Sequence, residues 1–322
     1  MTGAVNDSGI DVSLETLIGL RLEGSRLSLA RAHARAQLAG SYRSAFRGRG
    51  MDFEEVRAYQ PGDDIRRMDW RVTARSNRPH TKLFREERER PVLLCVDTGS
   101  SMRFATRVAF KSVQACRVAA LLGWAALANH DRIGVVTFAN DAARELRPGG
   151  GKRALLQCLK MLSAASKAPA RNNDSASFTA TLIRLRHLAR HGTLVILLSD
   201  FAGIDENGEQ HLGALAQHNE IMALRIYDPL EAELPPPGQY AFSDGQQIHS
   251  LWTSNPALRR EYQQAFDTRS EYLAGLCRQH RIRWLSISTA DDAASTLQQH
   301  LQTVRSGAES SPPLATAGIV NT

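Results

Sequence analysis

Residues 92–101 carry the sequence VLLCVDTGSS, and this stretch decides the fold. Its apolar first half runs without alternation into Asp97, and short apolar runs of this kind are typical of strands buried on both faces of a sheet. Residues 194–198, LVILL, repeat the pattern and run into Ser199 and Asp200. We therefore predict two buried strands whose carboxyl ends both lead into polar loops.

Helical and strand-like segments alternate around these two runs. Helices are predicted at residues 104–129, 151–165, 179–190, 209–217, 255–280 and 291–303. A further buried strand is predicted at 133–138, and strands are predicted at 221–226 and 282–287. An edge strand is predicted at 143–146 and a hairpin insertion near 236–251. Strands that alternate with helices form a mostly parallel sheet, because each crossover helix packs back onto one of its faces. The predicted fold class is α/β, with a doubly wound, mostly parallel sheet and helices on both faces.

The rest of the chain divides by composition into flanking segments. Leucines near helical spacing predict an N-terminal helical segment within residues 1–40, with the helix over 13–39. A charged segment of short strands and irregular structure is predicted at 41–91, the main domain at 92–303, and a disordered tail at 304–322. Apolar residues make up 43% of the 322 positions, which is enough to bury a substantial core.

Charge and cysteine usage limit the classes of partner. The net charge of +7 is spread over the chain with acidic residues interleaved, so a nucleic-acid partner is not predicted. The cysteines at 95, 116, 158 and 277 form no CxxC pair, which argues against a zinc site and fits a reducing compartment. The N-terminus is polar, and no apolar run reaches the roughly 18 residues that a membrane helix needs. We therefore expect a cytoplasmic protein without a membrane span.

Side chains that carry oxygen follow the two buried strands. In an open α/β sheet, ligands bind outside the carboxyl ends of the strands. Asp97 and Ser101 follow the first strand, Asp200 follows the second, and Thr179 is predicted to open a nearby helix. Carboxylate and hydroxyl oxygens suit Mg²⁺, so these residues form the predicted metal site. The alternative is structural: Asp97 caps the following helix, and Asp200 accepts hydrogen bonds from turn amides.

These residues also resemble a known motif. Residues 97–102, DTGSSM, are similar to the DxSxS metal-ion-dependent adhesion motif of von Willebrand A domains, with Thr179 and Asp200 at the places of its threonine and second aspartate. The upstream sequence is more distinctive, with RGRG at 47–50, FEEVR at 53–57, YQPGDDIRRMDW at 59–70 and AR at 74–75. Over about residues 13–303 the chain resembles domain of unknown function family 58, a bacterial family with a von Willebrand A-like domain that is associated with MoxR-type AAA+ ATPases.

The resemblance implies a binding module rather than an enzyme. Such a module would work with a MoxR-type ATPase in chaperone-like maturation or assembly of client proteins, and would contact an acidic group of its partner through Mg²⁺. One departure weakens the metal site, because the first serine of the motif is Gly99, which has no side-chain oxygen, and water would have to fill its place. The alternative function is a metal-dependent phosphoester hydrolase that uses Asp97 and Asp200.

The charged block from Gly48 to Trp70 allows two interpretations. Aspartates and arginines alternate at positions 63, 64, 66, 67 and 69. They form either an internal ion-pair network with Trp70 packed beneath it, which we favour, or a polar docking surface for the ATPase. A phosphate-binding loop at Gly149–Lys152 is not predicted, because Arg153 follows the lysine where the loop needs Ser or Thr.

Overall fold

The structure is a computed structural model, and it describes residues 9–29, 51–60, 68–76, 78–86, 89–139, 142–168, 175–243 and 248–303. The chain divides into two compact units. The main unit comprises the chain up to residue 30 together with residue 90 onward, and the small unit comprises residues 31–89.

Strands and helices alternate through most of the chain. The strands are β1 (Met51–Ala58), β2 (His80–Glu86), β3 (Pro91–Asp97), β4 (Arg132–Ala139), β5 (Ala142–Gly149), β6 (Leu194–Ser199), β7 (Glu220–Tyr227), β8 (Gln239–Ser243), β9 (Ile248–Trp252) and β10 (Arg283–Ser288). The helices are α1 (Leu14–Gly19), α2 (Arg21–Arg26), α3 (Trp70–Ser76), α4 (Lys111–Ala128), α5 (Gly151–Lys167), α6 (Ser175–Leu188), α7 (Glu206–Ala216), α8 (Pro229–Ala232), α9 (Pro256–Gln279) and α10 (Ala293–Thr303).

Within the described residues, the main sheet has six strands in the order β10-β7-β6-β3-β4-β5. Neighbouring strands are parallel except for β5, which runs antiparallel to β4 at the edge. This confirms the mostly parallel α/β sheet, its buried strands and the edge strand. The predicted hairpin is also confirmed, since β8 and β9 pair antiparallel.

Both faces of the central strand β3 are buried, which explains its unbroken apolar sequence. Val92, Leu94 and Val96 face one core, together with α4, α5, α10 and the N-terminal helices. Leu93 and Cys95 face a second core with α6, α7 and α9. Successive side chains of a strand point to opposite faces, so a strand between two helical layers has to be apolar at every position.

The N-terminal helices belong to the main unit. The indole Nε1 of Trp124, in α4, donates a hydrogen bond to the Leu17 carbonyl at 3.0 Å. The single helix predicted over residues 13–39 is wrong, because α2 ends before Leu27, whose backbone is extended. Leu27 and Leu29 are both buried in the main core. An extended chain turns residues two apart to the same side, as this burial requires. The remainder of that prediction, residues 30–39, lies outside the described residues.

The small unit is built on the antiparallel pair of β1 and β2, as the short strands predicted there required. Asp69 Oδ1 accepts hydrogen bonds from the backbone amides of Arg71 and Val72 at the start of α3. The prediction that Trp70 packs beneath a charged network is wrong, since Trp70 opens α3 and is 67% exposed. Residues 61–67, which carry most of that predicted network, lie outside the described residues, as does the predicted tail at 304–322.

Among the helices that the structure describes, none is both long and apolar enough to cross a membrane. The longest, α9, is amphipathic and exposes much of its length.

The close approach of α2 to α4 gives a test of this packing. A Cβ added at Gly24 would lie 2.7 Å from the Leu121 carbonyl oxygen, so Gly24→Ala has to push the two helices apart. We expect the free energy of unfolding in urea to fall by about 1–3 kcal/mol. The matched control is Gly19→Ala in α1, where an added Cβ meets nothing within 4 Å. It should stay within about 1 kcal/mol of wild type. Equal effects of the two substitutions would contradict the packing.

Candidate functional site

The carboxyl ends of β3 and β6 lie side by side. The two strands are parallel neighbours with Val96 level with Leu198, so the loops that follow Asp97 and Ser199 leave the sheet at the same edge. Asp97 is 7% exposed and Asp200 is 9% exposed. The prediction that both aspartates share one edge is confirmed. We call the group of Asp97, Asp200, Lys111 and Glu231 the edge cluster, and the next paragraphs give its contacts.

Asp97 is held by its own loop and by the neighbouring strand. Its Oδ1 accepts a hydrogen bond from the Gly99 amide at 2.9 Å, and its Oδ2 accepts one from Ser199 Oγ at 2.6 Å. Burial, followed by the nearby charge of Asp200, raises the pKa of Asp97 to about 7, although these hydrogen bonds and Lys111 act in the opposite direction. Near neutral pH this buried carboxyl therefore changes between its protonated and its ionised form.

Asp200 is paired with a lysine that begins α4. Lys111 Nζ lies 2.8 Å from Asp200 Oδ2 and 2.7 Å from Glu231 Oε1, and the lysine side chain is only 2% exposed. Burial acts to raise the pKa of Asp200, but Lys111 and hydrogen bonds from Ala202 and Ser101 bring it below its ordinary value. Burial acts to lower the pKa of Lys111, but the two carboxylates outweigh it and raise that pKa. Lys111 is therefore a charged ammonium that lies between the carboxylates of Asp200 and Glu231.

Glu231 reaches the cluster from the short helix α8. Its Oε2 accepts a hydrogen bond from the Asp228 amide at 2.8 Å, as one half of a capping box at the start of α8. Asp228 Oδ1 also accepts a hydrogen bond from the Leu230 amide. Asp228 is fully buried and also accepts hydrogen bonds from Thr106 Oγ1 at 2.6 Å and Thr289 Oγ1 at 2.8 Å. These contacts tie the loop after β3 to the ends of β7 and β10.

The structure brings three of the four predicted metal ligands together. Ser101 hydrogen bonds with Asp200, and the charge of Asp200 acts on Asp97. Thr179 is engaged elsewhere, because its Oγ1 donates a hydrogen bond to Asp205 Oδ1 at 2.8 Å. The prediction that Thr179 opens a helix is wrong: α6 begins at Ser175, so Thr179 lies within it. Asp205 is the N-cap of α7, so the Thr179 hydroxyl supports a helix end.

The residues present do not fit a divalent ion. Both oxygens of Asp97 already accept hydrogen bonds, and Asp200 Oδ2 is paired with the Lys111 ammonium. Gly99 supplies no side-chain oxygen. In the parts of the chain that the structure describes, no three His, Cys, Asp or Glu side chains are grouped as a metal site. Asp97 and Asp200 instead each accept a hydrogen bond from an amide two residues ahead, as the structural alternative predicts for Asp200. Asp97 does not cap a helix, since the N-cap of α4 is Phe110.

Sequence reasoning missed Lys111, Glu231 and Asp228, although two signals were present. Lys111 is a charged residue at the start of a helix that is otherwise largely apolar. The sequence DPLE at 228–231 has the aspartate, first-turn proline and glutamate of a capped helix start. Neither signal predicts that the lysine and the glutamate meet, because they are far apart in the chain.

Comparison with known proteins identifies the family. A sequence model described as "Protein of unknown function DUF58" matches residues 55–272. An uncharacterized protein of Mycobacterium tuberculosis is 30% identical over 273 residues, which are 84% of this chain and 85% of the relative. An uncharacterized protein of Mycobacterium avium is 26% identical over 125 residues, which are 38% of this chain and 73% of the relative.

Two solved structures also resemble the chain. One is the conserved hypothetical protein BatB from Bacteroides thetaiotaomicron, with a TM-score of 0.42 and 13% identity. The other is an aerotolerance-related membrane protein from Bacteroides fragilis, with a TM-score of 0.42 and 12% identity. Each match covers 67% of this chain and 99% of the other.

The raised pKa of Asp97 makes a prediction about stability against pH. Between about pH 4 and about pH 7 the unfolded chain has released this proton and the folded chain retains it, so Asp97 contributes stability that is lost as the pH rises. Asp97→Asn removes that contribution. The free energy of unfolding of the variant minus that of wild type should therefore rise across this window and be level on either side of it.

Urea unfolding at a series of pH values measures this difference. The control is Asp267→Asn, at an exposed carboxylate of α9 outside the edge cluster. Its difference from wild type should keep the same value across the window. A difference for Asp97→Asn that stays constant or falls would contradict a buried, protonated Asp97.

Proposed function

The chain belongs to the DUF58 family, and we propose that it is a protein-binding module that works with a MoxR-type AAA+ ATPase in chaperone-like maturation or assembly of client proteins. The ATPase as partner rests on the resemblance of the upstream block at residues 47–75 to the family associated with such ATPases. In this proposal the chain acts in the cytoplasm, beside the ATPase, and contributes binding rather than catalysis.

The proposed contact surface is the loop between β3 and α4, at residues 98–110. The observation that supports this surface is that buried side chains hold the loop in place. Asp228 binds both the amide and the hydroxyl of Thr106, and Lys111 fixes the end of the loop to Asp200 and Glu231. A loop fixed in this way loses little conformational freedom when a partner binds, which favours association.

The outer side of the same loop offers suitable groups for a protein partner. Val108 is 55% exposed, and Arg107 beside it is exposed as well. Arginine is enriched at protein interfaces, and the buried core of an interface is apolar, so an exposed valine beside an arginine suits such a surface. The edge on which the loop lies is also the one where open α/β sheets bind their ligands.

A metal bridge to the partner is not part of this proposal. The edge cluster contains its own ammonium, and Asp97 and Asp200 are engaged by Ser199, Gly99 and Lys111. The surface offered to a partner is therefore the loop itself. The phosphoester hydrolase alternative would use the same two carboxylates, and their contacts favour a structural role for them.

Binding of a purified MoxR-type ATPase from the same organism tests the proposal. We expect wild type to bind, and Arg107→Glu to raise the Kd about tenfold, because it reverses a charge within the contact surface. The matched control is Arg190→Glu, an exposed arginine in the loop before β6, at the opposite edge of the sheet. The control should leave the Kd within about twofold of wild type.

The two variants separate the parts of the proposal. If Arg107→Glu and Arg190→Glu raised the Kd equally, the loop at residues 98–110 would not be the contact surface. Wild type that shows no binding to the ATPase, with or without nucleotide, would remove the ATPase as partner. Surface plasmon resonance on the full chain gives both results in one series.

A further inference from the structure

The edge cluster contains a positive charge where the resemblance of residues 97–102 to the adhesion motif predicts a metal ion. We infer that Lys111 is the resident cation of this edge: its ammonium joins Asp200 and Glu231 as a divalent ion would, so that the edge keeps its structure without a bound metal. The inference concerns the chain alone and holds whichever partner the chain binds.

The contacts of the ammonium are those of a bridging ion. Lys111 Nζ lies within 2.8 Å of an oxygen on each of two carboxylates, and these come from different elements, the loop after β6 and the helix α8. An isolated buried ammonium is costly, and pairing with carboxylates together with good hydrogen bonds is what allows it to remain charged. Lys111 therefore connects three parts of the edge through one charged atom.

The remaining charges around the carboxylates are also balanced. Arg225 on β7 is buried, and its electrostatic interaction with Glu231 and Asp200 acts to raise its pKa, although burial lowers that pKa by more. Its guanidinium lies over the Phe266 ring, with the carbon at its centre 4.3 Å from the ring centroid. Asp200 and Glu231 thus interact with a second positive charge besides that of Lys111. A divalent ion added there would be repelled by both.

The loop after β3 is consistent with a site that needs no ion. Gly99 is buried, and its amide, rather than a side chain, binds Asp97. Ser101 hydrogen bonds with Asp200 instead of being held free for a metal. Each group that would ligate an ion therefore has a partner within the chain, and the positive charge that contacts Asp200 is that of Lys111.

The first test uses the wild-type chain. We expect its Tm to be the same in millimolar Mg²⁺ and in EDTA, and titration with Mn²⁺ to leave the free-ion electron paramagnetic resonance signal undiminished. A Tm that rises with Mg²⁺ concentration, or stoichiometric loss of the Mn²⁺ signal, would overturn the inference. This measurement is decisive even where a variant fails to fold.

The second test removes the ammonium. Lys111→Ala leaves two carboxylates unpaired and vacates the space between them, so we expect a lower Tm and a new response to Mg²⁺. At about ten times its Kd, Mg²⁺ should raise the Tm of the variant by roughly 2–3 °C. A folded Lys111→Ala chain whose Tm does not respond to Mg²⁺ or Mn²⁺ would contradict the claim that the ammonium holds the place of the ion.

The control for the second test is the double variant Lys111→Ala/Asp200→Asn. It lacks one of the two carboxylates between which the ion would bind, so Mg²⁺ should leave its Tm unchanged. If Mg²⁺ raises the Tm of both variants equally, the ion binds elsewhere, and that result also counts against the inference.

Discussion

The Lys111 ammonium is buried between carboxylates, and the arrangement of the whole carboxyl edge depends on that pairing. A charged group without a partner would be expelled from such a site or would lose its proton. The first residue of α4 therefore has to lie beside the end of β6, and α8 has to bring Glu231 to the same place. Lys111 Nζ thus holds the start of α4, the end of β6 and the helix α8 together.

The neighbouring carboxylates follow from that arrangement. Asp200 keeps its charge because Lys111 offsets the effect of burial. Asp97 accepts hydrogen bonds from Ser199 and Gly99, and these do not outweigh its burial. Two buried carboxyls at one edge cannot both be ionised at low cost, so their pKa values move in opposite directions. Asp228 is also buried, but hydrogen bonds from two hydroxyls and two amides together outweigh burial and hold its pKa below the ordinary value.

The sequence was sufficient to predict the sheet but not the edge cluster, because the residues of the cluster are far apart in the chain. The strands around Val92–Val96 and Leu194–Leu198 were predictable because burial on two faces leaves an unbroken apolar run. The convergence of Asp97 and Asp200 followed from parallel topology. The partners of Lys111 are 89 and 120 residues away and depend on side-chain directions that no local pattern contains. Leu27 was misjudged for a related reason, since burial in the core outweighed the helical spacing of the leucines.

The DTGSS loop shows that the conformation of a sequence motif and its affinity for a metal ion are separate properties. The shape of the loop depends on a hydrogen bond from a backbone amide to Asp97, which a glycine at position 99 provides as well as a serine would. Affinity for an ion depends on the number of oxygens that remain available, and here the Asp97 and Asp200 oxygens are engaged by Ser199, Gly99 and Lys111. The same turn can therefore serve two chemistries. The residues around the loop, rather than the motif itself, decide which cation stands at the edge.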